Sequence, residues 1–404
     1  VSASITSLPA PVFLNDADGL DPNLILADMI TAFQNASGRT LYPAQVERLL
    51  INLYAYREAL VRNAIQYTGQ QNLLAFAAYP MLDYLGQLLG VTRLASVAAT
   101  TTLEFTLTGA LTVPFTLAVG TQVGTSDGNF VFATNAALVI PTGSTTGSVA
   151  ATCTTAGSAA NGYLTGQVDV LIGGNALIAS VANTATTAGG SETESDDHLR
   201  TRIQAAPNQF STAGPSGSYR YWAISADPTI IDAQVVTPAP GQVAVYVLTG
   251  PITVQPAASP NTIGIASSTV IAEVVAILNA TTIRPLCDTV SVYAVTEVDY
   301  TVTATVTLFS NTDPGATEAA AYAAAQTLAI DLASTVQNDV VPSQWVAALS
   351  VSGVYEVIVT LTANIDGTPV QPQADGRIVL TAGQWANCTA ITLTYVIGTE
   401  NEPT

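Results

Sequence analysis

Residues 189–223 read GGSETESDDHLRTRIQAAPNQFSTAGPSGSYRYWA. The stretch holds three of the chain's ten cationic residues (Arg200, Arg202, Arg220), its only histidine, His198, and one of its three tryptophans, Trp222. Gly189 and Gly190 open it. Ser195 stands at a helix N-cap position, and Asp196 and Asp197 follow in the first turn, where carboxylates suit free N–H groups and the positive end of the dipole. Leu199, Arg200, Arg202 and Ile203 continue at helical spacing. The loop STAGPSG, with Gly214 and Gly217, ends that helix, and residues 216–226 start another, led by Tyr219, Arg220, Tyr221 and Trp222. The pattern predicts a helix–loop–helix hinge over residues 189–226. It joins a β-rich region before it to an α/β region after it.

Working upstream, residues 96–188 alternate apolar and polar at period 2, as in TTTLEFTLTG and FVFATNAALVI, with Gly and Asn between the runs. That spacing predicts a small antiparallel β-domain. Before it, residues 1–95 are helical after an extended start over residues 1–20. Asp21-Pro22 caps a helix that Gly38 ends. Pro43 is read as opening the longest helix.

In that helix Val46, Leu49, Leu53, Tyr56, Leu60, Ala64 and Tyr67 recur at a 3–4 spacing. Leu50, Tyr54, Val61 and Ile65 lie beside them, leaving a narrow polar strip of Asn52, Arg62 and Gln66. Glu58 and Arg62 are placed for an i,i+4 pair. A helix apolar over most of its circumference needs cover on more than one side. Two readings meet that need: a helix buried in one globular domain, or one packed in a multi-chain bundle through Val46, Leu49, Leu50, Leu53, Tyr56, Leu60 and Tyr67. Residues 72–90 add one or two shorter helices, with Pro80 at their break.

Downstream, residues 227–404 predict strands at 231–236 and 242–248, a helix at 260–280, and strands at 290–295 and 300–309. Helices follow at 314–336 and 342–349, then a strand at 355–363. Late strands are expected at 377–380 and 390–396. The order gives compact α+β layers, with a split ferredoxin-like arrangement as the specific expectation. The whole chain is thus a multidomain α+β protein.

Composition narrows the function classes. Only 10% of the 404 residues are charged, against about 25% in ordinary soluble domains. Apolar runs are broken before the roughly 20 residues a bilayer needs, so no membrane partner is expected. A chain so poor in charge hides uncharged surface in permanent interfaces, or stays soluble through its net charge of −19. With ten arginines, no lysine and that net charge, no basic patch is expected to neutralise phosphates, and nucleic acid is not an expected partner. Cys153, Cys287 and Cys388 are odd in number and far apart, which argues against a disulfide framework. No basic-then-apolar leader is visible at the start, so assembly in a cytoplasm is the expectation.

The residue inventory offers little chemistry. Glu192, Glu194, Asp196 and Asp197 could in principle hold a divalent cation, but the alternating carboxylates and central Gly of a calcium loop are missing. Helix N-terminal charge and ion pairs to Arg200 or Arg202 account for them. His198 has no nucleophile elbow to serve. Arg220 among Tyr219, Tyr221 and Trp222 suits an aromatic–guanidinium contact, either as hinge packing or as a partner anchor. No catalytic residue, metal or cofactor is expected.

The pattern GG-x-x-x-ESDD-x-LR-x-R followed by STAGPSG-x-YRYWA resembles the central signature of the baseplate J-like family, wedge subunits of contractile phage tails and related injection machines. Gly38-Arg39-Thr40-Leu41, Ala55-Tyr56-Arg57-Glu58-Ala59-Leu60, Gly90-Val91-Thr92-Arg93-Leu94, Pro240-Gly241 and Arg284-Pro285-Leu286 extend the resemblance, which covers roughly residues 38–360. It implies a non-enzymatic structural protein of the virion tail baseplate. Its implied partners are a second copy of itself, a smaller wedge subunit, neighbouring wedges that close a ring, and hub or sheath-initiating proteins. It also implies a role in transmitting the trigger for sheath contraction. The competing class is a secreted, self-assembling surface or adhesin protein, which low charge and abundant Thr and Ala also suit.

Overall fold

The computed structural model describes residues 9–14, 20–211, 214–250 and 264–400. Most of the extended start expected over residues 1–20 lies outside them, as do Thr212 and Ala213 of the STAGPSG loop. Two compact units divide the chain: Val1–Arg93 with Asp196–Gln204, and Leu94–Ser195 with Ala205–Thr404. The chain therefore passes from one to the other after Arg93, Ser195 and Gln204, and residues 189–226 belong to both units.

The first unit is helical. α1 (Pro22–Ser37) starts where the Asp21 carboxylate accepts the Asn23 N–H at 2.8 Å, and Pro22 has no N–H to satisfy. Gly38 ends it in the left-handed region at φ 66°, returning its N–H to Gln34. α2 (Val46–Gln70) begins after Pro43, not at it. The side chain of Gln45 accepts from the Tyr42 N–H and its own N–H donates to the Tyr42 carbonyl, which holds residues 42–45 as a turn. α3 (Met81–Gln87) follows the cis Tyr79-Pro80 bond, and α4 (Asp196–Ala205) completes the unit apart from its last residue.

α2 lies with the opposite side inward from the one its large apolar residues would suggest. Its buried residues are Ala55, Ala59 and Gln66, and the two alanines pack with Ile25 of α1. Gln66, placed by its polarity in an outward strip, accepts the Phe13 N–H at 2.9 Å and donates to the Pro11 carbonyl at 2.6 Å. A buried amide with both ends bonded has its desolvation cost offset by those bonds. Small side chains let two helices approach closely, so the unit spends its inner face on Ala and Gln and leaves Leu and Tyr outside. Arg62 does pair with Glu58 at 2.8 Å.

The second unit opens with β1 (Thr100–Leu107), β2 (Phe115–Leu117), β3 (Gln122–Thr125), β4 (Val131–Thr134), β5 (Leu138–Ile140), β6 (Thr146–Cys153), β7 (Val168–Leu171) and β8 (Ile178–Asn183). Six of these form a sheet in the order β7-β3-β4-β6-β1-β8, antiparallel at every pairing; β2 and β5 pair separately. Asn183 on β8 ties the two sheet edges into a barrel-like closure. Its Oδ1 accepts the Val168 N–H of β7 at 2.9 Å, and its Nδ2 donates to the Leu164 and Ala185 carbonyls. Leu103, Phe105, Val123, Phe132 and Val168 fill the interior.

α5 (Ser216–Ile224) then covers a three-stranded sheet of β9 (Ile230–Ala239), β10 (Gln242–Thr249) and, beyond α6 (Ser268–Leu278), β11 (Thr289–Ala294). α6 begins eight residues later than its periodicity suggests, because Ile265 bridges Leu248 and Ser267 caps the helix at the Val270 N–H; residues 260–263 lie outside the described residues. The last elements are β12 (Thr296–Leu308), α7 (Pro314–Ala333), α8 (Pro342–Leu349), β13 (Val354–Ile365), β14 (Thr368–Val370) and β15 (Gln384–Ile397).

Their sheet runs β14-β13-β12-β15, with β12 antiparallel to β13 and parallel to β15. The C-terminal strands thus fall into two sheets, not into the single interleaved sheet of a split ferredoxin-like fold. Residues 377–380 make only an isolated bridge, Ile378 to Val340. α7, α8 and buried Trp345 cover one face of the four-stranded sheet. Each such large apolar side chain contributes roughly 1.5–3 kcal/mol on burial.

Candidate functional site

α4 is bound to the rest of the helical unit by the residues of the 189–223 stretch. Arg200, buried on the inner side of α4, donates from Nε to the Leu74 carbonyl at 2.8 Å and from NH2 to that of Ala77 at 2.9 Å, and pairs with Asp197. Buried Arg202 donates to the Thr92 carbonyl at 3.2 Å. Asp196 accepts from Arg93 NH2 at 2.7 Å and from the Tyr79 N–H at 3.2 Å. Arg93 also grips Asp83 at 2.6 Å and lies over the Tyr79 ring. The paired carboxylates raise its already high pKa, the Asp83 hydrogen bond first among them.

The acidic run is consumed by separate partners. Glu192 accepts from the Ser158 N–H and hydroxyl, both at 2.8 Å, which holds its carboxyl below the usual range. Glu194 is buried and accepts the Leu94 N–H at 2.8 Å. Ser195 directly precedes α4, and Asp196 and Asp197 occupy its first turn. His198 is half-buried on α4. Among the described residues no group of three or more His, Cys, Asp or Glu side chains is placed to hold a metal ion, and no helix is long and apolar enough to cross a membrane.

On the other side of the loop, Arg220 binds Asp232 at 2.7 Å; the carboxylate also accepts the Ala233 and Val336 N–H groups. The guanidinium therefore goes to a buried carboxylate and not to the aromatic cluster expected from its neighbours. Tyr219 is buried and donates to Asp288 at 2.7 Å, and half-buried Trp222 meets Tyr221 edge-on. Three of the four glycines are packing positions. A Cβ on Gly190 would come within 2.4 Å of the Gly157 carbonyl; on Gly214 it would reach Pro285, and on Gly217, Asn208. Gly189 alone of the four has a positive φ and no atom within 3.4 Å of such a Cβ.

The seven α2 residues expected to face a bundle all lie on the surface. Val46, Leu49, Leu50, Leu53, Tyr56, Leu60 and Tyr67 are between 45% and 67% exposed. Tyr54, Val61 and Ile65 beside them are exposed too. Sequence reasoning assigned no role to Arg93, Asp83 or Tyr79, which complete the α4 clasp. Arg93 and Asp196 are 103 residues apart, so no local periodicity could join them.

Four family models match in chain order. The Baseplate J-like N-terminal domain matches residues 47–100, the barrel domain 102–190, the central domain 211–294 and the C-terminal domain 300–394. Baseplate protein J of Escherichia phage P2 is 34% identical over 164 residues, 41% of this chain and 51% of that protein. The matched stretch thus spans about half of the phage P2 protein. A chain of the anti-feeding prophage baseplate, solved by cryo-EM, aligns over 90% of this chain and 89% of its own at 15% identity and a TM-score of 0.43. With helical, barrel, central and C-terminal regions each matched in order over most of its length, the chain belongs to the Baseplate J-like protein family.

Proposed function

We propose that the chain is a structural, non-catalytic subunit of a contractile-tail baseplate, built into a wedge through α2. The observation that carries this reading is the outward turn of α2. A helix that keeps Ala and Gln inside and presents ten large apolar residues to the surface, each about half exposed, gains roughly 1 kcal/mol for each side chain that a partner covers. Permanent interfaces have that character. The partners are a second copy and a smaller wedge subunit in a helical bundle, with neighbouring wedges, hub and sheath-initiating proteins contacted elsewhere. The subunit resides in the tail baseplate of a virion and assembles in the host cytoplasm.

In this reading six-fold ring closure falls to the C-terminal region, and the trigger for sheath contraction passes through residues 189–223. The pivot lies at the joints after Ser195 and Gln204, since Gly190, Gly214 and Gly217 are held by contacts. Two copies with one relative orientation of the units in an assembled particle would remove the pivot.

The test of the main reading is co-expression with candidate wedge proteins, comparing wild type with the Leu53→Glu/Leu60→Glu double variant. The variant is expected to stay folded and to drop out of the complex. Co-assembly of the variant at wild-type yield overturns the α2 bundle.

A further inference from the structure

We propose that β15 is an intermolecular edge, where residues 390–397 pair antiparallel with the same residues of a second copy. This goes beyond the α2 bundle and does not depend on it.

Among the described residues β15 is the last strand of its sheet and is bonded along one side, to β12. An edge strand of that length offers a row of free N–H and C=O groups, and folded proteins blunt such edges with charge, proline or a short terminal strand. The opposite side of this sheet is blunted in these ways. β13 carries Glu356, and β14 is three residues long with Pro369 at its centre. β15, QWANCTAITLTYVI, has no charged residue and no proline. Its first part, residues 385–388, is buried, whereas Thr392, Thr394, Val396 and Ile397 are exposed. The half of the strand that the core does not enclose is therefore the second, where Ile391, Leu393 and Tyr395 face the core and the residues between them face outward.

Charge identifies the occupant. The chain carries a net charge of −19, so two copies repel wherever their carboxylates face each other. The eight residues 390–397 have none, and they give a basic partner nothing to pair with. An identical strand turned by a two-fold axis meets every free donor with an acceptor and makes an isologous contact that closes on itself. Centred near Leu393 and Thr394, it would join two four-stranded sheets into one continuous sheet.

The test is sedimentation equilibrium of the full chain from about 1 to about 100 μM, in the Leu53→Glu/Leu60→Glu background so that α2 cannot contribute. The expected mass is twice that of the chain. Thr392→Lys/Thr394→Lys puts like charges on facing strands and is expected to weaken association about tenfold or more, with far-ultraviolet circular dichroism and melting unchanged. In a Cys287→Ser background, which removes the exposed thiol, Thr394→Cys is expected to give a cross-linked dimer with a short bismaleimide. A protein that is monomeric throughout that range overturns the pairing, as does a dimer that the lysine pair leaves intact. Neither result bears on the wedge complex measured by co-expression.

Discussion

Arg200 donates from Nε to the main-chain carbonyl of Leu74, 126 residues earlier, at 2.8 Å. With the second bond to Ala77, one guanidinium fork fixes α4 on the turn that follows α2. Removing it leaves two carbonyls beside a hole that water reaches poorly. Arg200→Ala is expected to destabilise the helical unit by about 3 kcal/mol, read as loss of hydrogen-exchange protection in α2 and α4. Arg200→Lys recovers little, because an ammonium cannot reproduce the planar fork. Asp197→Ala is the contrast: its side chain is 90% exposed, and a change within about 0.5 kcal/mol is expected.

Gly190 is held on both sides by Asn161, which donates to its carbonyl at 2.7 Å and accepts its N–H at 2.9 Å. A methyl group there meets the Gly157 carbonyl at 2.4 Å and the Ala99 nitrogen at 3.1 Å, both backbone. Backbone cannot move aside as a flexible side chain does. Gly190→Ala is expected to cost about 2 kcal/mol or more in urea unfolding of the barrel region. A stability within experimental error of wild type would show that the two backbone segments separate freely.

Substitutions on α2 invert the usual rule for helices. Leu53 is 58% exposed, while Ala55 is 2% exposed against α1. Leu→Ala in a core costs about 2–5 kcal/mol; Leu53→Ala in the isolated chain is expected to cost less than about 1 kcal/mol. Ala55→Leu forces α1 and α2 apart and is expected to cost about 1–3 kcal/mol. Thermal melts of the two variants should therefore rank opposite to side-chain size lost. Equal losses would mean that α2 buries its leucines in the free chain.

The same helix marks where sequence reading succeeded and where it stopped. Periodicity located α2 within three residues and named the apolar rows, because 3.6-residue spacing is a local property. It could not say which row faces inward. That choice depends on Ile25, Pro11 and Phe13, brought in by chain folding, and polarity pointed the wrong way for Gln66. Proline at the first helical position fixed the starts of α1, α7 and α8 to the residue, since its φ is preset for a helix and it lacks the N–H that would go unbonded there. Two features escaped notice because their parts lie far apart in sequence. The Arg93–Asp196 link of the clasp spans 103 residues, and the division of the C-terminal strands between two sheets is set by pairing partners, which alternation alone does not specify.

Glu297 and Asp299 point the same way from β12, and Asn387, opposite Asp299 on β15, donates to Glu297 at 2.5 Å and to Asp299 at 2.8 Å. One amide cannot neutralise two carboxylates. Burial first, then the charge of Asp299, and more weakly that of Asp366, push the Glu297 carboxyl up from 4.5 to about 7. A carboxyl whose folded pKa lies above its unfolded value favours the folded state while protonated. Its contribution is complete below pH 4.5 and is lost as pH rises through about 7. Wild-type protein is therefore expected to lose stability across that window, in addition to whatever other groups contribute. Glu297→Gln keeps the hydrogen-bonding shape and removes the ionisation, so its urea midpoint should exceed that of wild type at pH 8 and approach it at pH 5. A midpoint difference that does not change between those pH values would mean that Glu297 ionises in the folded protein as it does in the unfolded chain.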